Sequence, residues 1–243
     1  MTPRMDSTIS FSVPLSLRLS GSALKILAVI SMIADHCAYF LLEHDSAMYD
    51  PLRCFGRIAF PVFALLVAEG FANSRNRMRY FLMLVAFGLA SELPWYLLNG
   101  ADGTHNVMFT LALGVAALAM FDRLCEHGPI AFLSVMLTAA AAWWLGSDYD
   151  WRGVVMIVLF YILRYRTMIP WLDRHHVCFP SQALLQIIFT LPLMAHYGLT
   201  GAILAGAVIF LYDGTRGFIR GRTAKYAIYA VYPVHLLLIA VCS

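Results

Sequence analysis

The 243-residue chain is 61% hydrophobic and only 13% charged, with a mean hydropathy of +0.73. A soluble domain of this length lacks the polar surface to cover so much apolar content, so lipid is the expected solvent and only helices or a closed barrel satisfy the backbone there. The net charge of +3 is too small to argue for nucleic acid as a partner.

Taken in chain order, hydrophobic runs predict spans near 22–42, 57–73, 79–98, 107–122, 129–145, 152–164, 181–197, 199–212 and 223–241. They lack the two-residue alternation of barrel strands. The expected fold is therefore all-α, a polytopic transmembrane helical bundle of about nine spans. The pair 181–197 and 199–212, split at His196-Tyr197-Gly198, is short enough to be a re-entrant hairpin, which leaves seven spans plus that pair. No internal repeat or long linker is visible. Residues 1–21 read as a cytoplasmic tail and 22–243 as one transmembrane domain. The first 20 residues are polar and no small-residue cleavage site follows 23–42, so no cleavable signal peptide is expected.

Orientation follows from the basic residues. Arg4, Arg18 and Lys25 precede the first span, and Arg75, Arg77 and Arg79 follow the second. Arg123 follows the fourth, Arg164, Arg166 and Arg174 follow the sixth, and Arg216, Arg220, Arg222 and Lys225 precede the last. An alternating chain puts all of these on one side, the cytoplasm. The segments 98–106 and 146–151 hold acids and no bases, as external loops should. The N-terminus is then inside and the C-terminus outside. Arg53, Arg57 and Arg152 are left over at or near the outer ends of spans, where the rule gives no reason for them, and become candidates for a polar site.

Asp35, Glu69 and Glu92 lie inside or at the edges of apolar spans, where an ionised carboxylate needs a partner, water or substrate. Lys25 and His36 are eleven residues apart. That is three turns plus about 20°, so both project from one helix face with Met32 between them, roughly 16 Å apart along the axis. Asp35 points about 100° away and is as ready to pair with Arg57 as to orient His36. A lone buried histidine usually needs only a hydrogen-bond partner. One beside an aspartate, mid-membrane and in phase with a lysine, is a candidate for chemistry. Glu69, near the cytoplasmic end of its span, has snorkelling to water as its plain alternative. Glu92 can accept backbone donors or pair with an arginine.

Gly56 permits close helix approach, and Arg57 either holds a phosphate or carboxylate bidentately or snorkels to the interface. Tyr229, Tyr232, Pro233 and His235 bring phenols, an imidazole and a kink into the last span. Trp95, Trp143, Trp144, Trp151 and Trp171 need only an aromatic belt. Cys37, Cys54, Cys125, Cys178 and Cys242 show no metal or C-x-x-C spacing and read as inert thiols, with a Cys37–Cys54 disulfide as the alternative. Asp173-Arg174-His175-His176 reads as a solvated loop rather than a metal site. No P-loop, G-x-G-x-x-G, H-E-x-x-H or G-x-S-x-G is present.

Together these segments resemble the TraX family. The resemblance is carried by Lys25 through Asp35-His36, by Phe55-Gly56-Arg57-Ile58-Ala59-Phe60-Pro61-Val62-Phe63 and by Ala68-Glu69-Gly70-Phe71. It continues in Ser91-Glu92-Leu93-Pro94, Asn106 through Phe109-Thr110 to Gly114, and Asp148-Tyr149 before Gly153-Val154. It ends in Tyr212-Asp213-Gly214, Lys225-Tyr226 and Tyr229 through Tyr232-Pro233 to His235, so that it runs from about residue 22 to 240.

The family takes its name from a conjugation protein that acetylates the N-terminus of F-type pilin. The resemblance therefore implies a multi-pass acetyltransferase of the bacterial inner membrane. It would take acetyl-CoA as donor, use no metal or prosthetic group, and act on a pilin or other envelope acceptor. A basic residue eleven before a first-span histidine also resembles the wider class of transmembrane acyltransferases. In that class the histidine handles an acyl group delivered from the cytoplasm. Carried onto this chain, His36, Asp35 and Arg57 are the expected catalytic group. Lys25, Glu69, Glu92, Asn106, Asp148, Tyr149, Tyr232 and His235 are the expected donor- and substrate-binding residues. One departure is that Asp148-Tyr149 continues Asp150-Trp151-Arg152, where the family pattern has a small residue after the tyrosine.

Two other functions stay open. A proton-coupled transporter would relay protons through Asp35, His36 and Glu69, although many transporters show internal repeats or paired broken helices. A non-catalytic pilus or envelope assembly factor would use the same polar residues to lock helix packing.

Overall fold

The computed structural model describes residues 17–165 and 182–243, apart from the Arg222 side chain. Arg4, Arg166, Trp171, Asp173, Arg174, His175, His176 and Cys178 lie outside the described residues. Every regular element among those described is a helix: α1 (Gly21–Leu41), α2 (Tyr49–Gly56), α3 (Ala59–Ala72), α4 (Arg77–Asn99), α5 (Val107–Leu124), α6 (Gly128–Trp144), α7 (Asp150–Tyr165), α8 (Gln182–Ala195), α9 (Leu199–Phe210) and α10 (Arg222–Cys242).

Local chemistry sets the boundaries. Side-chain oxygens of Ser20, Asn76 and Asn106 accept the backbone N–H groups of Ala23, Arg79 and Met108, capping α1, α4 and α5. Pro129 sits in the first turn of α6, where its missing N–H costs nothing. Gly100, at φ +70°, stops α4 in a conformation open to glycine.

Among the described residues, five stretches are long and apolar enough to cross a bilayer: Gly21–Leu41, Tyr49–Ala72, Arg77–Asn99, Val107–Leu124 and Thr223–Cys242. Their outward faces carry apolar side chains such as Leu93, 65% exposed, and Val241, 79% exposed, as a lipid-solvated surface requires. The chain is a multi-pass membrane protein. Helices α6, α8 and α9 are also apolar but have only 17, 14 and 12 residues. At 1.5 Å per residue that is about 26, 21 and 18 Å against a hydrocarbon core of about 30 Å. By length and composition, then, five stretches among the described residues qualify as spans, against the nine expected.

The second span begins earlier than its hydropathy implies. Residues 49–56, left outside the expected span, form α2, and α3 continues it after a break at Arg57-Ile58. Pro51 in the first turn, Asp50 at the start and Arg53 at the end suit a helix.

Small residues bring the helices together. Gly114 of α5 lies against Ile157 of α7, and Gly153 of α7 lies against Thr110 and Phe60. Phe71, Phe160, Leu84, Leu118 and Ile157 are fully buried around α5. The bundle has two polar ends. At one, α1 begins beside the 211–219 segment, with Gly21 donating to the Thr215 carbonyl (2.7 Å) and Ser22 Oγ to that of Arg216 (2.9 Å). At the other, the α8–α9 turn brings Tyr197 to within 4.6 Å of Tyr149, centroid to centroid. Since α9 returns to Tyr212, bridged to Leu19, the α8–α9 pair runs between these two ends and back.

Candidate functional site

The end where α1 finishes encloses a cavity of about 610 Å³. Met32, Asp35 and His36 of α1 form one wall, and Arg53, Arg57 and Phe60 another. Tyr232 of α10, Trp143 of α6, the 146–150 turn and Tyr197 close the remainder.

His36 is half-buried, and its Nδ1 lies 2.7 Å from Nε2 of His235, with the two rings parallel to within 3°. His235 in turn places its Nδ1 2.9 Å from the Val231 carbonyl. A carbonyl only accepts, so His235 carries its proton on Nδ1 and its Nε2 is a lone pair. That lone pair must accept from His36, which puts the His36 proton on Nδ1. The remaining nitrogen, Nε2 of His36, is left as a free base on a residue that lines the cavity. His235, expected to bind substrate, lies in the fold between His36 and the Val231 carbonyl.

Asp35 pairs with Arg53, rather than with either of the two partners weighed from the sequence, Arg57 and His36: Arg53 Nη1 donates to Oδ2 at 2.6 Å. The cause is local. The Cα of Gly56 lies so close to α1 that an added Cβ would meet Asp35 Cβ at 2.3 Å, which brings α2 alongside Asp35. Arg53 also lies 4.8 Å from the Tyr39 ring centroid. Arg57 donates to the Tyr149 hydroxyl and still feels the Asp35 charge. Cys37 and Cys54 are free, so the disulfide is excluded; Cys54 Sγ lies 3.3 Å from Thr200 Oγ1.

Tyr149 stacks on Phe60 with centroids 3.7 Å apart. It and Asp150 occupy the left-handed region at φ +64° and +40°. The family's small residue would fall at position 150, so the departure has a structural reading. Aspartate tolerates this conformation better than most side chains. Its carboxylate accepts the Arg152 backbone N–H (2.8 Å) and guanidinium (2.6 Å), stabilising the start of α7. Asp148 donates its backbone N–H to the His105 carbonyl (2.8 Å), and its own carbonyl accepts the Thr110 hydroxyl. Its carboxyl accepts the Tyr149 N–H at 3.0 Å. Burial pushes that carboxyl up to about 7 against the opposing pull of the Tyr149 N–H.

The other expected site residues do not line the cavity. Glu92 contacts His105 Nδ1 (2.8 Å) and accepts from Asn106 Nδ2 (2.5 Å), while Asn106 also donates to Gly88 (2.9 Å). Both therefore hold the loop that positions Asp148. Glu69 does not snorkel free; it pairs with Arg164 (2.5 Å) and accepts the Tyr165 hydroxyl (2.7 Å) near the opposite end. Lys25 is also at that end, facing Arg216 and Lys225. Arg53 carried a sequence signal, being a base that the topology rule left over. Tyr197 and Trp143 carried none.

A helical bundle of this kind, with a polar aromatic cavity at one end and two hydrogen-bonded histidines against it, defines a polytopic membrane protein with a built site. The model for "TraX protein" matches residues 20–243. The chain belongs to the TraX family. A relative from Dichelobacter nodosus, "Probable fimbrial assembly protein FimC, serogroup H1", is 30% identical over 243 residues, covering 92% of this chain and 95% of the relative. No solved structure matches.

Proposed function

We propose that this chain is an acetyltransferase of the bacterial inner membrane. It moves an acetyl group from acetyl-CoA to an envelope acceptor, by family likeness the N-terminus of a pilin or a similar surface substrate. The observation that carries this reading is the free Nε2 of His36 at the cavity wall, with its tautomer set by His235 and the Val231 carbonyl. In the proposed step the acceptor nitrogen attacks the thioester carbonyl while Nε2 takes a proton from it. The tetrahedral intermediate expels the thiolate, and His36 returns the proton to sulfur. The guanidiniums of Arg53 and Arg57 supply positive charge to the cavity for the oxyanion. Asp35 acts as a positioning residue by holding Arg53.

The orientation expected from the basic residues puts the Lys25 end in the cytoplasm, where Lys25 with Arg216 and Lys225 meets the donor's phosphates. The cavity then faces outward to the acceptor. Acetyl transfer by the purified full chain tests the reading. The expected outcome is release of free CoA thiol by the wild type, and a loss of about 100-fold or more in kcat for His36→Ala. His235→Ala lowers kcat less, because His36 survives without a fixed tautomer. Lys25→Ala raises the KM for acetyl-CoA more than it lowers kcat. The name of the Dichelobacter relative favours a second reading, a non-catalytic fimbrial assembly factor. That reading requires no thiol release, and surface fimbriae that persist in His36→Ala.

A further inference from the structure

The cavity wall holds a carboxylate that the transfer step above does not use. Asp35 is occupied by Arg53 and Asp150 by Arg152, each at 2.6 Å. Asp102 is turned to the Thr104 backbone N–H (2.8 Å) and hydroxyl. Asp148 is half-buried, lines the same cavity, and has no ion-pair partner within 4.0 Å among the described residues. Its backbone is fixed on both sides, by His105 and by Thr110. The next two residues hold left-handed conformations that non-glycine residues seldom adopt. The groups facing it are Asp35 from α1, Arg53 and Arg57 from α2 and its C-terminal cap, its neighbour Tyr149, Tyr197 from the α8–α9 turn and Tyr232 from α10. Both guanidiniums are already engaged, one by Asp35 and one by the Tyr149 hydroxyl.

The proton count of the proposed reaction calls for such a group. An amine acceptor near neutral pH is mostly an ammonium, since an α-amino group has a pKa of about 7.7–8.0. Its acetylation releases two protons. His36 carries one to the departing thiolate, and nothing in that step receives the other. We propose that Asp148 docks the ammonium of an amine acceptor and takes its first proton, leaving the second to His36. The ammonium N–H bond breaks and a carboxyl O–H forms, so that the neutral amine is the nucleophile. After the amide is made and CoA leaves as the thiol, Asp148 returns its proton to water. A carboxyl near 7 is matched to an α-amino group, so the transfer runs close to level.

This inference rests on the acetyl-transfer reading, and alaninamide and lactamide separate the two. These probes differ only in an ammonium against a hydroxyl. Binding of each to the full chain in nanodiscs at pH 7.5, where the carboxyl is mostly ionised and the amine still mostly ammonium, is expected to favour alaninamide about tenfold, and Asp148→Asn to abolish that preference. Asparagine keeps the acceptor for the Tyr149 N–H, and a ratio of two probes on one variant does not depend on folded yield. No preference in the wild type, or one that survives in Asp148→Asn, overturns the docking. With acetyl-CoA added, Asp148→Asn is expected to lose about tenfold in kcat/KM for alaninamide at pH 7.5 and to approach the wild type at pH 9.5, where the amine arrives already neutral. A loss that is equal at both pH values overturns the proton step. Wild-type protein that transfers to neither probe overturns the acetyl-transfer reading and the proton step together, while the binding arm still decides the docking.

Discussion

Asp35 and His36 are chain neighbours whose side chains leave α1 about 100° apart, and each finds its partner on a different element. His36 meets His235 of α10 and Asp35 meets Arg53 of α2. The arginine partner was not legible because Arg53 and Arg57 are one helical turn apart and both face α1. The choice is made by the close approach at Gly56 and by Tyr149, which takes up Arg57. The Asp35 and Arg53 side chains are only 13% and 19% exposed. Removing one partner of a buried pair typically costs about 3–5 kcal/mol. Asp35→Ala and Arg53→Ala are each expected to lower the thermal midpoint of the purified protein, and the double variant to lose clearly less than the sum. Strict additivity would show that the pair is not coupled. Arg57→Ala combined with Asp35→Ala should come closer to additivity.

At the scale of elements, the site depends on how closely α2 and α9 approach their neighbours. A Cβ at Gly56 would stand 2.3 Å from both Cβ and Oδ1 of Asp35, and one at Gly201 of α9 would stand 2.4 Å from Arg57 Cβ. The Asp35 atoms belong to a side chain held by Arg53, so it cannot swing aside without breaking the pair. Gly56→Ala is therefore expected to destabilise the protein by at least about 1–3 kcal/mol, the usual cost of overpacking. Gly128→Ala, at the start of α6 with nothing within 4 Å of its added Cβ, should be nearly neutral. Thermal unfolding in one detergent compares the two, and equal midpoints would refute the packing argument. Helix α2 itself was missed in the sequence because hydropathy averages over a window and Asp50 and Arg53 dilute it. Its start signal, Asp50-Pro51 after Tyr49, was nonetheless present.

For the whole molecule, the proposed orientation makes the two polar ends unequal. In a background with the native cysteines replaced by serine, Arg75→Cys should stay unlabelled by an impermeant maleimide in intact cells, while Asp102→Cys should label. The reverse pattern would invert the assignment of donor and acceptor sides. The helical membrane class, the segregation of bases and the candidacy of His36 were all determined by the sequence alone. Hydropathy, charge and helical phase are properties of neighbouring residues, and lipid leaves the backbone few alternatives. The partnership of His36 with His235, 199 residues away, was decided only by the tertiary structure. So were the choice of Arg53 over Arg57, the diversion of Glu92 and Asn106 to a supporting loop, and the exposure of Asp148 to the cavity. The physical reason is that each depends on which faces of non-adjacent helices meet, and small residues such as Gly56, Gly153 and Gly201 set that by letting backbones approach where any side chain would hold them apart.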